Sequence, residues 1–188
     1  MPASTLLRAS RLASGITQGD LAARARTSQP DISIIESGKR SPTVDTLERL
    51  LRQIGHRIIA VPGVGVDATE TAERIASARS RDSALRAYID YSDSLAAAKG
   101  VDRVVLGIAE PHPTGSPAWD AALAALVDYR FGQCKLPTPV WISAPSRFLG
   151  EPQSPQLSEY DLEPDLTDVP PEFLRRNVLL ERSTLESV

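Results

Sequence analysis

A mainly α-helical chain in two domains is expected. Residues 1–62 should form a four-helix bundle followed by one short strand, and residues 63–188 a helical or α+β domain with proline-rich loops. Three observations carry this. Apolar residues recur at helical spacing in four short stretches before Gly55, three of them opened by a Ser or Thr in the capping position. Charge divides at the same place: residues 1–62 hold nine Arg/Lys against five Asp/Glu, a net of +4, and the remainder twelve against nineteen, a net of -7. Eleven of the fifteen prolines lie between Pro111 and Pro171, which restricts that region to loops and short elements around one clear helix.

Leu6, Leu7, Ala9 and Ala13 mark the first helix, ended by Gly15. Thr17 and Asp20 have the spacing of a capping box and open a second helix with Leu21, Ala22 and Ala25 inward. Ser28 with Asp31 repeats the device for a third helix, which buries Ile32 and Ile35 and terminates at Gly38. After the loop GKRSP, Thr43 caps a fourth helix with Val44, Leu47, Leu50, Leu51 and Ile54 inward, stopping at Gly55. HRIIAV, residues 56–61, reads as a lone strand, and its backbone donors require a ladder from a later strand or from a second subunit.

PGVGV, Pro62 to Val66, reads as a linker; it lacks the glycine and lysine spacing of a phosphate loop. Helical patterns follow from about Thr69 to Ala78 and from Asp82 to Ala98, the latter carrying Leu85, Tyr88, Ile89 and Leu95. The clear helix of the proline-rich region runs from Pro117 to about Phe131. NVLLE, residues 177–181, reads as a short strand, with Ser183 capping a final turn.

The composition, 41% hydrophobic and 24% charged over 188 residues, is that of a folded globular chain. No run approaches the ~20 apolar residues that span a bilayer, and the first residues lack the apolar block of a signal peptide, so no membrane association and a cytoplasmic location are expected. The single cysteine, Cys134, fits a reducing compartment. A basic head on an acidic body implies that the head alone meets a polyanion.

Two capped helices joined by a short turn, the second polar at its exposed start, have the geometry of a helix-turn-helix whose recognition helix enters the major groove. Ser28, Gln29, Pro30 and Ser33 are then uncovered because base edges are their neighbours. Gln29 can bond both N6 and N7 of adenine, and the outward Ile34 suits a thymine methyl. The first aromatic residue is Tyr88, so the head has no stacking platform for single strands, which favours duplex DNA.

Over about Leu6 to Gly55 the chain resembles the Xre family of lambda-repressor-like DNA-binding domains, through Arg11, TQGDLAARA, SQPDIS, IESGKRSP and TVDTLERLLRQIG. The resemblance implies that Gln18 touches the DNA backbone and braces Gln29, that Arg11 and Glu36 form an internal ion pair, and that Lys39 and Arg40 face phosphates. Pro30 stands where many relatives carry another polar base reader. The expected DNA-binding set is Thr17, Gln18, Ser28, Gln29, Pro30, Ser33, Ile34, Lys39 and Arg40, in a homodimer spanning two half-sites. The later segments PTGSPAWDAALAALVDY, LPTPVWISAPSRFLG and VPPEFLRRNVLLE resemble actinobacterial antitoxins paired with a nucleotidyltransferase-type toxin.

Other chemistry finds less support. Cys134 and His112 have the residue types of a nucleophile and base, but a lone cysteine after an apolar helix is more often a small core residue. Two histidines and one cysteine, widely separated, do not make zinc spacing, and no metal or cofactor is expected. Glu159, Asp161, Glu163, Asp165 and Asp168 lack calcium-loop spacing and read as a solvated loop or a surface for a basic partner. Trp119 and Trp141 are expected in the core. The chain is therefore read as a non-enzymatic, sequence-specific DNA-binding regulator and autoregulating antitoxin. The alternative is a stand-alone repressor whose second domain binds a small effector.

Overall fold

The computed structural model describes residues 2–59, 65–156 and 164–186. The chain divides into two compact units, Met1–Pro62 and Gly63–Val188.

In the first unit, α1 spans Ala3–Ala13, α2 Gln18–Arg24, α3 Gln29–Glu36 and α4 Val44–Arg52. The caps act as the residue types dictate. The Asp20 N–H donates to the Thr17 hydroxyl at 3.1 Å and the Thr17 N–H to the Asp20 carboxylate at 3.1 Å, closing a reciprocal box. Ser28 and Thr43 accept from Asp31 N–H and Thr46 N–H, each at 3.2 Å. Gly38 (φ +75°) and Gly55 (φ +76°) take the left-handed conformation that ends α3 and α4. Leu7, Leu21, Ile32, Ile35, Leu50 and Leu51 meet in the core, each contributing about 1.5–3 kcal/mol by burial.

Two expectations are corrected here. Val44, expected inward, is 70% exposed, because the first turn of α4 overhangs the core that Leu47, Leu50 and Leu51 reach. His56–Ile59 is irregular rather than a strand, since the isolated chain offers this segment no ladder; Ala60 and Val61 lie outside the described residues. Ile58 and Ile59 are left exposed, Ile59 by 76%.

The second unit, among its described residues, is helical. It contains α5 (Ala68–Ala76), α6 (Arg81–Ala97), α7 (Val101–Ile108), α8 (Pro117–Gly132), two 3-10 turns at Val140–Ser143 and Pro145–Arg147, and the short α9 (Pro171–Leu174) and α10 (Arg182–Leu185). α8 is its axis. Every residue from Ala121 to Val127 is inaccessible to solvent, as a helix that is apolar all round must be. Tyr88 stacks at 5.3 Å on Trp119 and donates its hydroxyl to Ala122 O at 2.9 Å, while Trp141 donates to Gly107 O at 3.0 Å. Burial pushes the Tyr88 and Tyr91 hydroxyls well above their ordinary pKa. Gly107 lets α7 close on α8: a Cβ there would lie 2.8 Å from the Phe131 ring.

Four buried arginines fasten the irregular segments. Arg103 donates to Ala96 O and Ala98 O, Arg130 to Ser92 Oγ and Leu185 O, Arg147 to Pro111 O, and Arg176 to Ile142 O, Glu172 O and the Asp128 carboxylate. Proline-rich backbone carries carbonyls without matching N–H donors, and the five donors of a guanidinium supply the deficit. Arg147 and Arg176 also lie over the Trp141 and Phe148 rings at 5.1 and 5.0 Å.

NVLLE does not form a strand. One parallel bridge joins Gln153 to Val178, with Leu179 N–H on Gln153 O at 2.8 Å, and Pro152 and Pro155 flank the partner segment and remove the donors that would extend it. The cap of α10 is Glu181 rather than Ser183, whose hydroxyl instead meets the Glu181 carboxylate at 3.2 Å. Pro62 to Val64 of the expected linker, and Glu159, Asp161 and Glu163 of the acidic run, lie outside the described residues. Among the described residues no helix is long and apolar enough to cross a membrane.

Candidate nucleic-acid interface

The α2–turn–α3 unit is held from behind. Its turn passes through Arg26 in the left-handed region (φ 52°), and Arg49 of α4 donates to Ala25 O at 2.6 Å, tying the end of α2 to the fourth helix. Ser28, Gln29 and Pro30 stand exposed at the start of α3; Ile34 is 40% exposed, and Ser33 half-buried. Lys39 and Arg40 are exposed in the loop after α3, and Thr17 and the half-buried Gln18 open α2.

Behind Gln29 runs a chain of hydrogen bonds. Arg11 Nε and Nη2 donate to the two carboxylate oxygens of Glu36 at 2.7 and 2.8 Å, and both residues are buried. Gln18 Nε2 donates to the same Glu36 Oε2 at 2.9 Å, and Gln29 Nε2 donates to Gln18 Oε1 at 2.9 Å. The hydrogen bond from the Glu36 carboxylate raises the Arg11 pKa further. The only direct protein bond of this chain that reaches the exposed helix start is thus the one to Gln29.

Asp31 does more than cap. Ser28 Oγ donates to its carboxylate at 2.6 Å, and Arg40 Nη1 donates to it at 3.0 Å across the loop. The latter pair is largely solvent-exposed, worth about 0–1 kcal/mol, so Arg40 exchanges this partner for a phosphate at little cost. The Thr17 bonds hold the Asp20 carboxyl below the usual carboxylate range, and the Ser28 hydroxyl, then Arg40, do the same for Asp31.

Folding lowers both pKa values, so the stability they lend is complete above the ordinary carboxylate value and is lost as pH falls through the lowered ones. The melting temperature of this unit should therefore fall on acidification below about pH 4, and Asp20→Asn with Asp31→Asn should flatten that dependence. An equally steep dependence in the double variant would remove the caps as its source.

Sequence reasoning did not find the Gln18–Glu36 bond, the Arg40–Asp31 pair or the Arg49 contact to Ala25. Gln18 and Glu36 are eighteen residues apart, and no local pattern announces such a meeting. Cys134, expected in the core, is exposed beyond α8 and touches the Arg103 guanidinium. Trp119 and Trp141 are buried. Among the described residues no three His, Cys, Asp or Glu side chains converge as a metal site would require.

These caps, the turn, the buried ion pair behind the second helix and the exposed polar start of α3 define a helix-turn-helix unit of the DNA-binding class. A family model described as a helix-turn-helix domain matches residues 3–55. No curated protein and no solved structure matched the chain.

Proposed function

We propose that this chain is a sequence-specific, duplex-DNA-binding transcriptional regulator of Xre type that represses its own promoter as the antitoxin of a toxin–antitoxin pair. The observation that supports it most is Gln29: exposed at the start of α3 and oriented from behind by Gln18, it is set to read a base edge. Ser28, Pro30, Ser33 and Ile34 share the groove-facing part of α3, while Thr17, Gln18, Lys39 and Arg40 contact the sugar-phosphate backbone. The protein acts in the cytoplasm by binding alone, without catalysis or cofactor.

Gln29→Ala should weaken binding to the operator by about 1–3 kcal/mol and leave binding to unrelated duplexes unchanged, as titrations at fixed salt would show. Equal losses on both DNAs would refute the assignment.

In this reading the protein is a homodimer. The segment beginning at His56 leaves two isoleucines in solvent, and pairing it with its copy in an antiparallel ribbon covers them and satisfies its backbone. The acidic second unit binds the partner protein, a nucleotidyltransferase-type toxin. An apolar stripe on α7 supports this: Val101 and Ile108 are 67% and 56% exposed, with the half-buried Val104 and Val105 between them.

Expressed beside the neighbouring gene, residues 63–188 alone should neutralise its toxicity, and residues 1–62 alone should not. Rescue by the head alone, or a harmless neighbour, would overturn the antitoxin reading. One observation favours a second reading, that of a repressor with a small effector: an open cavity of about 540 Å³ near the end of α6, lined by Gly65, Asp93, Ser94, Ala97, Lys99 and Asp102 among others. A small molecule retained by purified protein would favour it.

A further inference from the structure

We infer that Glu36, buried and out of reach of the DNA, selects the base that Gln29 reads, by fixing the polarity of two amides in series. The inference rests on the DNA-binding reading above and adds a positioning residue to it. A glutamine amide has a donating and an accepting end, and the two are nearly the same shape, so an exposed glutamine can present either to a base. Here the choice is made from inside the protein.

Both Glu36 oxygens accept from Arg11, a group that can only donate, and the carboxylate therefore offers Gln18 nothing but an acceptor. Gln18 must turn its NH2 toward Glu36, at 2.9 Å, which leaves Oε1 facing Gln29. Gln29 must in turn spend one N–H on that oxygen, also at 2.9 Å. What remains at its exposed end is one acceptor, Oε1, and one donor, the second N–H. That pair is complementary to adenine, whose N6 donates and N7 accepts. With the relay reversed, Gln29 would accept from Gln18 and face the groove with two donors, the complement of guanine O6 and N7.

Ionic pairing in the interior thus acts at a distance on sequence preference. Arg11 is part of the device because it keeps the Glu36 carboxylate charged and fully engaged; the bidentate contact leaves the carboxylate no freedom to rotate. Replacing Glu36 by glutamine keeps the shape and removes the asymmetry. Either orientation of the introduced amide sets one N–H against a donor of Arg11, so neither is enforced, and the polarity of Gln18 and Gln29 is no longer determined.

The test selects operators for the full-length protein from a random duplex library, then measures affinity for the selected site with adenine or guanine at the base pair whose preference Gln29→Ala abolishes. The native protein should prefer adenine by roughly tenfold or more. Glu36→Gln should bring that ratio toward parity, whatever happens to overall affinity. A uniform loss of affinity with the ratio unchanged within about twofold is what a merely structural role produces, and it would overturn the inference.

Gln18→Met provides the second arm, since it leaves the Arg11–Glu36 pair intact and removes only the relay. It should fold as the native protein does and lose several-fold of the adenine preference without acquiring one for guanine; an unchanged ratio would overturn the inference even if Glu36→Gln fails to fold. Failure of the native protein to select any sequence would instead overturn the DNA-binding reading itself.

Discussion

Arg11→Ala should be among the most damaging single substitutions in the first unit, lowering its stability by about 3–5 kcal/mol. The alanine would remove both donors that engage Glu36 and leave a carboxylate only 4% exposed with Gln18 as its remaining side-chain partner. The Arg11 Nη1 bond to Ile16 O, at 2.9 Å, would go with it and loosen the entry to α2. The cost is that of an uncompensated buried charge rather than of the pair as such. Arg11→Met combined with Glu36→Leu should therefore recover most of the loss, because apolar residues of similar volume avoid the desolvation that the ion pair must offset. Denaturant unfolding of the single and double variants measures both. A single variant that loses less than about 1 kcal/mol, the range of an exposed pair, would show that water reaches this site.

Ile59→Pro should have the largest effect on operator binding. A helix-turn-helix protein that reads two half-sites gains its second contact at the effective concentration set by the first, and loss of the dimer forfeits on the order of 10²-fold or more in affinity. Proline deletes a backbone donor in the segment that we propose forms the seam, and Ile59 is 76% exposed in the single chain, so the folded head has little reason to respond to the change. Sedimentation should find monomers with unaltered helical content, and titration should find operator affinity reduced to that of one half-site. A variant that remains dimeric would place the seam elsewhere.

What the sequence made legible in the first unit is tied to local chemistry. Thr17, Ser28 and Thr43 announce their caps because a hydroxyl bonding an N–H two or three residues on is a short-range event, and Gly38 and Gly55 announce the ends because few other residues accept positive φ. The apolar period then assigns the inward faces, except at Val44, where the helix extends past the core it was expected to join. The same logic failed after Gly55. HRIIAV has the composition of a strand, but a strand is a relation between two segments, and composition names only one of them.

In the second unit α5, α6 and α8 were readable from spacing, whereas α7 was not recognised. Its eight residues, VDRVVLGI, are apolar on the buried and the exposed side alike, so they show little contrast between faces. The arginine fastenings were hidden for a different reason. Arg130 and Arg176 look like surface residues in the sequence, and only the meeting of distant carbonyls with their guanidinium groups makes burial tolerable. At the interface, similarly, Gln29 was legible as a base reader, while the bond from Gln18 to Glu36 that orients its brace depended on packing between α2 and the end of α3.

The fastening at Leu185 bears on the order of events while the chain is being made. Leu185 O accepts from Arg130 of α8 at 2.9 Å and from Ser92 of α6 at 3.2 Å, a contact that spans 93 residues. Translation at roughly 5–20 residues per second delivers the first unit, whose contacts are local, several seconds before residue 185 leaves the ribosome. The head can thus fold and begin to search DNA on a nascent chain whose body is still open. Under the proposed function, each new molecule would be competent to silence its promoter before it is competent to hold a partner, and a ribosome stalled within the last few codons would release a repressor that cannot neutralise anything.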